Sequence, residues 1–275
     1  MQKLLAFTDI HMTPEGQKII GLDPFEKFRR ALDHGITHHP DAERIVLMGD
    51  LANSGTAEEY SRFAHSIRGV DIPITLMAGN HDNRDTLIAT LPHVVTDGAG
   101  FLQTSHSYGD TRVLTLDTLF GPPAVSYAHF GAYCDARFDW LTEQLSEAKQ
   151  ASQRVLLFSH HPPFRIGFTG MDQIRMRDDA RMHAVLKASG VPIHLVCGHV
   201  HRTISGHWDG FGFSMLKSTC HQMPLAIGST DMTLGTPEPA AYGIILLTED
   251  GIIVHSEDFD LATTIQSTSP ETLPD

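Results

Sequence analysis

Cysteine is scarce in this chain. Its 275 residues hold three, Cys134, Cys197 and Cys220, and no two of them share a C-x-x-C spacing. An odd, scattered set excludes a disulfide framework and points to a reduced, cytoplasmic setting. Long apolar runs are missing too. No segment approaches the length a membrane-spanning helix needs, so no membrane partner is expected. The opening "MQKLLAFTDIH" has neither the extended apolar core nor the small-residue cleavage site of a secretory leader. Positive charge is also in deficit: 20 Lys and Arg stand against 33 Asp and Glu, a net charge of −13 with neutral histidines. That balance argues against a nucleic-acid polymer as partner, because backbone binding needs clustered cations. The sequence shows no internal repeat and no low-complexity block.

Histidine, by contrast, is abundant, with 18 residues. A 41% apolar content supports a real core, and the length suits one large α/β domain. The first half alternates strand-like and helix-like stretches. "KLLAFT" (3–8), "RIVLM" (44–48) and "IPITLMA" (72–78) read as buried strands. "PFEKFRRALDHGITHH" (24–39) has helical periodicity after a plausible N-cap, Asp23. "TAEEYSRFAHSIRG" (56–69) opens with a capping-box pattern, Thr56 and Glu59. Such alternation predicts a parallel sheet covered by helices. Two shorter strands (101–108 and 111–117), a helix (136–149), a strand "RVLLFS" (154–159) and a helix (178–190) come next. After His201 strand succeeds strand, which predicts a second sheet packed on the first. The tail 261–275 is polar and reads as poorly ordered, leaving 1–260 as a single domain.

The residues just past each strand carry the chemistry. Asp9-Ile10-His11 comes after the first, Gly49-Asp50 after the second, and Gly79-Asn80-His81-Asp82 after the third. His160-His161-Pro162-Pro163 ends "RVLLFS", and Cys197-Gly198-His199-Val200-His201 ends the apolar "VPIHLV". The C-terminal edge of an open α/β sheet is where ligands bind. In extended chain, residues i and i+2 share a face, so Asp9 would project with His11, and His199 with His201. Oxygen and nitrogen ligands without thiolate suit Zn, Mn, Fe or Co. Seven such residues exceed one tetrahedral site and fit two ions that share a carboxylate, a pair held roughly 3.5–4 Å apart in two-metal centres.

In their order, "DIH", "GD", "GNHD", "HH" and "GHVH" resemble the blocks of the calcineurin-like metallophosphoesterase family. "TDIH", "GDLANSG", "HHPP" and "TCHQMP" (219–224) look most like its cyclic nucleotide phosphodiesterase and glycerophosphodiesterase branch. The resemblance implies a four-layer α/β/β/α sandwich of two mixed β-sheets flanked by helices. It implies that Asp9, His11 and His201 hold one transition-metal ion and Asn80, His160 and His199 another, with Asp50 bridging them. It implies hydrolysis of a small phosphodiester by a hydroxide generated at the metals, bridging or terminal. His81 would lie outside the ligand set, contact the phosphate and protonate the leaving group, with Asp82 orienting it. Asn80 and His221 would help bind substrate. His161, beside a ligand, is expected to point elsewhere. The protein phosphatases of the superfamily carry "GDxxDRG" and "GNHE", and their arginine is missing here, which favours diesters over monoesters. Arg84 and Arg165 lie just after site blocks and are candidates to replace that contact. A phosphomonoesterase, a nuclease or a metal-free scaffold on the same fold stay open as alternatives. The long connection from His221 to Ala241 is of a kind that shapes sites and interfaces, so a homo-oligomer is also an expectation.

Overall fold

The computed structural model describes residues 1–91, 94–121 and 128–261. The expected tail, from 262 onward, lies outside the described residues. In chain order the elements are β1 (Gln2–Phe7), α1 (Pro24–His38), β2 (Arg44–Met48), α2 (Ala57–Ser66), β3 (Ile74–Met77) and α3 (Arg84–Thr90). Then come β4 (Thr104–Tyr108), β5 (Thr111–Leu116), α4 (Asp135–Gln150), β6 (Arg154–Ser159), α5 (Thr169–Gln173) and α6 (Asp179–Ser189). The chain closes with β7 (Ile193–Cys197), β8 (Ile204–Trp208), β9 (Phe211–Met215), β10 (Tyr242–Leu247) and β11 (Ile252–Glu257).

Two mixed sheets result. One is five-stranded in the order β11-β10-β1-β2-β3, and the other six-stranded in the order β4-β5-β6-β7-β9-β8. Strands β1, β2 and β3 run parallel, with β10 antiparallel to β1. In the second sheet β5, β6, β7 and β9 run parallel. The strands after His201 therefore do not form a sheet of their own, contrary to expectation. β8 and β9 extend the sheet that β6 and β7 belong to, while β10 and β11 return to the edge of β1.

The two-residue alternation of strand side chains builds the layers. Leu5 and Phe7 of β1 face Phe28, Leu32 and Phe63 on the covering helices. Their neighbours Leu4 and Ala6 point the other way and pack with Leu156, Phe158 and Val196 of the second sheet. Beyond that sheet, Leu157 and Leu195 meet Leu141, Leu145 and Leu186 of α4 and α6. Helix, sheet, sheet, helix is the expected sandwich. The local capping signals hold as well. Asp23 caps α1 by accepting the Phe25 N–H, and Thr56 and Glu59 form the capping box of α2.

Candidate metal centre

The C-terminal ends of β1, β2 and β3 in one sheet and of β6 and β7 in the other converge on one buried point. Asp9, His11, Asp50, His160, His199 and His201 are each at most 6% exposed. Asp9 (φ 54°), His11 (φ 51°), Asp50 (φ 50°), His199 (φ 69°) and His201 (φ 52°) all occupy the left-handed region. That conformation is unusual for non-glycine residues and costs on the order of 1–3 kcal/mol at each position. It corrects the extended-chain argument for the i, i+2 pairs. The ligand-type residues of a pair do reach one site, but from tight left-handed turns past the strand ends.

Hydrogen bonds within and between the two sheets hold those turns. The His199 N–H donates to both Asp9 carboxylate oxygens at 3.2 and 3.1 Å. Thr8 Oγ1 donates to Asp9 Oδ2 at 2.7 Å, and the Ser218 hydroxyl to the Asp9 carbonyl at 2.7 Å. The His11 N–H donates to the Asp50 carbonyl at 2.8 Å. Asp82, expected to orient His81, instead knits the ligand loops. Its carboxylate accepts the N–H groups of Leu51, Ala52 and Gly79 and the Tyr60 hydroxyl, at 2.9–3.2 Å. Burial, with Asp50 beside it, pushes that carboxyl up to about 6. Asp82→Ala leaves buried donors without a partner, and should lower unfolding free energy by about 2–4 kcal/mol in urea titrations of the apoprotein. The loops also need close approach. A Cβ at Gly79 would lie 2.6 Å from both the Asp50 nitrogen and His160 Nε2. Gly79→Ala should therefore cost about 1–3 kcal/mol by overpacking and reduce metal content measured by plasma emission.

Two clusters stand side by side and share Asp9. Asp9, His11 and His201 bring ligand atoms within 4.8 Å of one another, as do Asp9, Asp50 and His160; His11, Asp50 and His81 form a further such group, and His160, His161 and His199 another. His11 Nε2 and His201 Nε2 face each other at 3.1 Å. Asp50 Oδ2 lies 3.3 Å from His160 Nε2 and 3.7 Å from His11 Nε2, so one carboxylate touches both clusters. Burial alone would raise the Asp50 carboxyl, but the imidazoles of His160, His81 and His11 outweigh it and hold it well below the usual range. Burial likewise works against a charged His160, yet Asp50 and Asp9 prevail and lift it to about 9.

The donor atoms fit metal ions. His160 Nδ1 donates to the Met48 carbonyl and His201 Nδ1 to the His221 carbonyl, each at 2.9 Å. A carbonyl can only accept, so each contact places the proton on Nδ1 and leaves Nε2 a bare lone pair in the neutral ring. His160 Nε2, His199 Nε2 and Asn80 Oδ1 are buried without a hydrogen-bond partner. A buried amide oxygen and imidazole nitrogens without hydrogen-bond partners, beside carboxylates and with no thiolate, match transition-metal ions of the Mn, Fe, Co or Zn type, which would displace the His160 proton.

A cavity of about 410 Å³ opens onto the clusters. His81, Asn80 and His221 line it, together with Asn53 and His129, which sequence reasoning did not single out. His129 sits in no recognisable block and only the fold brings it near Asn80. Its Nδ1 lies 3.4 Å from Asn80 Nδ2. His81 Nδ1 donates to the Asn53 carbonyl at 2.7 Å. Burial first, then His201, pulls His221 down to about 3, so its ring is neutral. Ile20, Met232 and Leu234 form an apolar side of the mouth. Arg84 does not reach it, because its guanidinium is spent on Asp117 at 2.6 and 2.7 Å. Arg165 lines a separate surface cavity of about 660 Å³ beside Phe164 and Trp208. No lysine or arginine lines the cavity over the clusters among the described residues. His161, expected to point elsewhere, turns a ring nitrogen towards His160 and His199, all three within 4.8 Å.

A sandwich whose strand ends gather carboxylates, imidazoles and an amide around one cavity defines a metal-dependent hydrolase. The chain belongs to the calcineurin-like phosphoesterase family, which matches residues 2–203. It is 35% identical to a probable cyclic nucleotide phosphodiesterase of Rhodopseudomonas palustris, over 94% of this chain and 92% of that one. It is 26% identical to a probable glycerophosphodiester phosphodiesterase of Arcobacter nitrofigilis, over 92% of each chain. The fold is similar to that of a dimetal phosphatase from Danio rerio, with a TM-score of 0.69 at 14% identity, covering 94% and 96% of the two chains.

Proposed function

We propose that this chain is a metal-dependent phosphodiesterase of small phosphodiesters, of the cyclic nucleotide or glycerophosphodiester type. The observation that carries the reading is the twin cluster joined by Asp50, under a cavity lined by His81, His221 and Asn80. In this reading Asp9, His11 and His201 hold one ion, Asn80, His160 and His199 the other, and Asp50 lies between them. Bound there, the ions supply Lewis acidity and lower the pKa of water.

The protein's own groups do the rest. Asn80 and His221 meet the phosphoryl oxygens. Asn53 holds the His81 ring through Nδ1, so that in the imidazolium form Nε2 would carry the proton that passes to the departing alkoxide. The lack of a lysine or arginine in the lining, among the described residues, supports a singly charged diester over a monoester dianion. The apolar side of the mouth suits the organic part of such a substrate. The unpaired cysteines support a reducing, cytoplasmic location, and no helix among the described residues is long and apolar enough to cross a membrane. Leu225 and Ile227, 69% and 74% exposed on the connection after His221, support self-association, which sedimentation velocity would detect.

The test is to strip the protein with a chelator, restore Mn²⁺, and compare kcat/KM for bis-p-nitrophenyl phosphate and p-nitrophenyl phosphate. The expected result is metal-dependent turnover with the diester preferred. Preference for the monoester would move the function to a phosphatase. Failure to bind metal at all would make the chain a scaffold.

A further inference from the structure

The surface cavity that Arg165 lines has no part in the chemistry proposed above. Its volume, about 660 Å³, is in the range of small-molecule sites. None of the residues around it lines the catalytic cavity. Its floor is aromatic. Phe164 comes from the loop after β6, and Trp208 and Phe213 from β8 and β9 at the edge of the second sheet. The Phe164 ring centroid lies 4.2 Å from that of Phe213 and 5.5 Å from that of Trp208. Phe164 is buried, whereas Trp208 and Phe213 keep part of their surface open. His183 of α6 props the Trp208 ring at a steep angle, centroids 5.1 Å apart.

The charges around this floor do not cancel. Asp179 lies 2.5 Å from the Arg175 guanidinium, and one Asp209 oxygen meets both Lys187 Nζ and His183 Nε2, at 3.1 and 2.7 Å. Both carboxylates therefore have partners. Arg165 is exposed at the rim and makes no ion pair or side-chain hydrogen bond among the described residues. It is a cation without a counter-charge, in a chain whose net charge is −13. A guanidinium takes a phosphate through paired N–H donors, and open aromatic faces take a planar ring.

We propose that this cavity is a second binding site, for an aromatic phosphate of nucleoside monophosphate size. The base lies against Trp208 and Phe213, and the phosphate meets Arg165. The volume holds a ring, a sugar and a phosphate together, which is more than a benzoate-sized anion would fill.

The probe is 5′-AMP, titrated calorimetrically into the metal-stripped full-length protein, so that no ion in the catalytic cavity holds the phosphate. The expected result is saturable binding. Adenosine should bind about tenfold more weakly than 5′-AMP, and Arg165→Gln should weaken 5′-AMP by at least about tenfold. Arg165 is exposed on a loop, so this variant keeps the fold, which its Tm confirms. His221→Ala, in the other cavity, should leave the affinity unchanged. In Trp140→Phe, Trp208 is the only tryptophan, and the nucleotide should quench its fluorescence along the calorimetric curve. No saturable binding by about 10 mM overturns the proposal. Binding that His221→Ala weakens and Arg165→Gln does not would place the nucleotide in the catalytic cavity, and overturns it too. Equal affinity for adenosine and 5′-AMP, unchanged in Arg165→Gln, would leave only an apolar surface, with the same consequence. No turnover is measured, so the phosphodiesterase reading stands or falls separately.

Discussion

Replacing Asp50 with asparagine is expected to lower kcat/KM for the diester by about 10³-fold or more, together with a loss of bound metal. The side chains are nearly the same size, so packing is kept and charge is not. Asp50 Oδ1 accepts the His81 N–H at 2.8 Å, and Oδ2 stands between His160 and His11 at 3.3 and 3.7 Å. One oxygen thus fixes the loop that carries His81 and Asn80, and the other serves both clusters. An amide keeps the first contact, by its carbonyl oxygen, and turns an NH₂ towards the clusters. That NH₂ cannot bind a cation, and by donating hydrogen bonds to the Nε2 atoms it would occupy the lone pairs that a metal ion needs. Because the hydrogen bond to His81 survives, the apoprotein should keep its fold, and its far-ultraviolet circular dichroism should match the wild type. Metal analysis and steady-state kinetics on the same preparation check the expectation. Two ions retained, with activity within tenfold of the wild type, would remove Asp50 from its place between the metals.

The parts of this molecule that are legible from sequence are those in which local chemistry and the fold agree. Strands β2 and β6 match the stretches 44–48 and 154–159, because short apolar runs there end abruptly in Gly-Asp or in histidine. Helix α2 begins where its capping box says. Helices α3 and α5 escape a sequence reading, being seven and five residues long, too short for a 3.6-residue period to repeat convincingly. Sheet membership is also hidden. Alternation tells which face of a strand is buried but not which neighbour pairs with it, so nothing local says that β10 returns to β1 across the whole chain.

The site is legible by a similar mixture. The residues after each strand do come together, yet pairing them by extended backbone is incorrect. The structure pairs them from left-handed turns instead. Such turns are visible only when tertiary contacts, such as the Asp9 carboxylate receiving the His199 N–H, impose them. Arg84 shows the opposite failure. Nearness in sequence to "GNHD" suggests a phosphate contact, but buried Asp117, out of reach of any local motif, claims the guanidinium.

His81→Ala is expected to separate chemistry from metal binding. In the proposed reading His81 holds no ion, and its ring contacts the rest of the protein through the Asn53 carbonyl and the edge of His11, centroids 4.7 Å apart. Loss of a positioned general acid typically costs about 10²–10⁴ in kcat, and the bound metal should be nearly unchanged. The ring is half-buried at the cavity wall, so its removal leaves solvent-accessible space rather than a sealed void, and stability should change little. A leaving-group series gives the sharper readout. An acid that protonates the departing oxygen matters most when that oxygen is a poor leaving group. The loss for His81→Ala should therefore be largest for an alkyl ester and shrink towards p-nitrophenolate, which leaves without a proton. A deficit equal across the series would mean that His81 binds the phosphoryl group instead of protonating the leaving group. Full activity on the alkyl ester would remove it from the mechanism altogether.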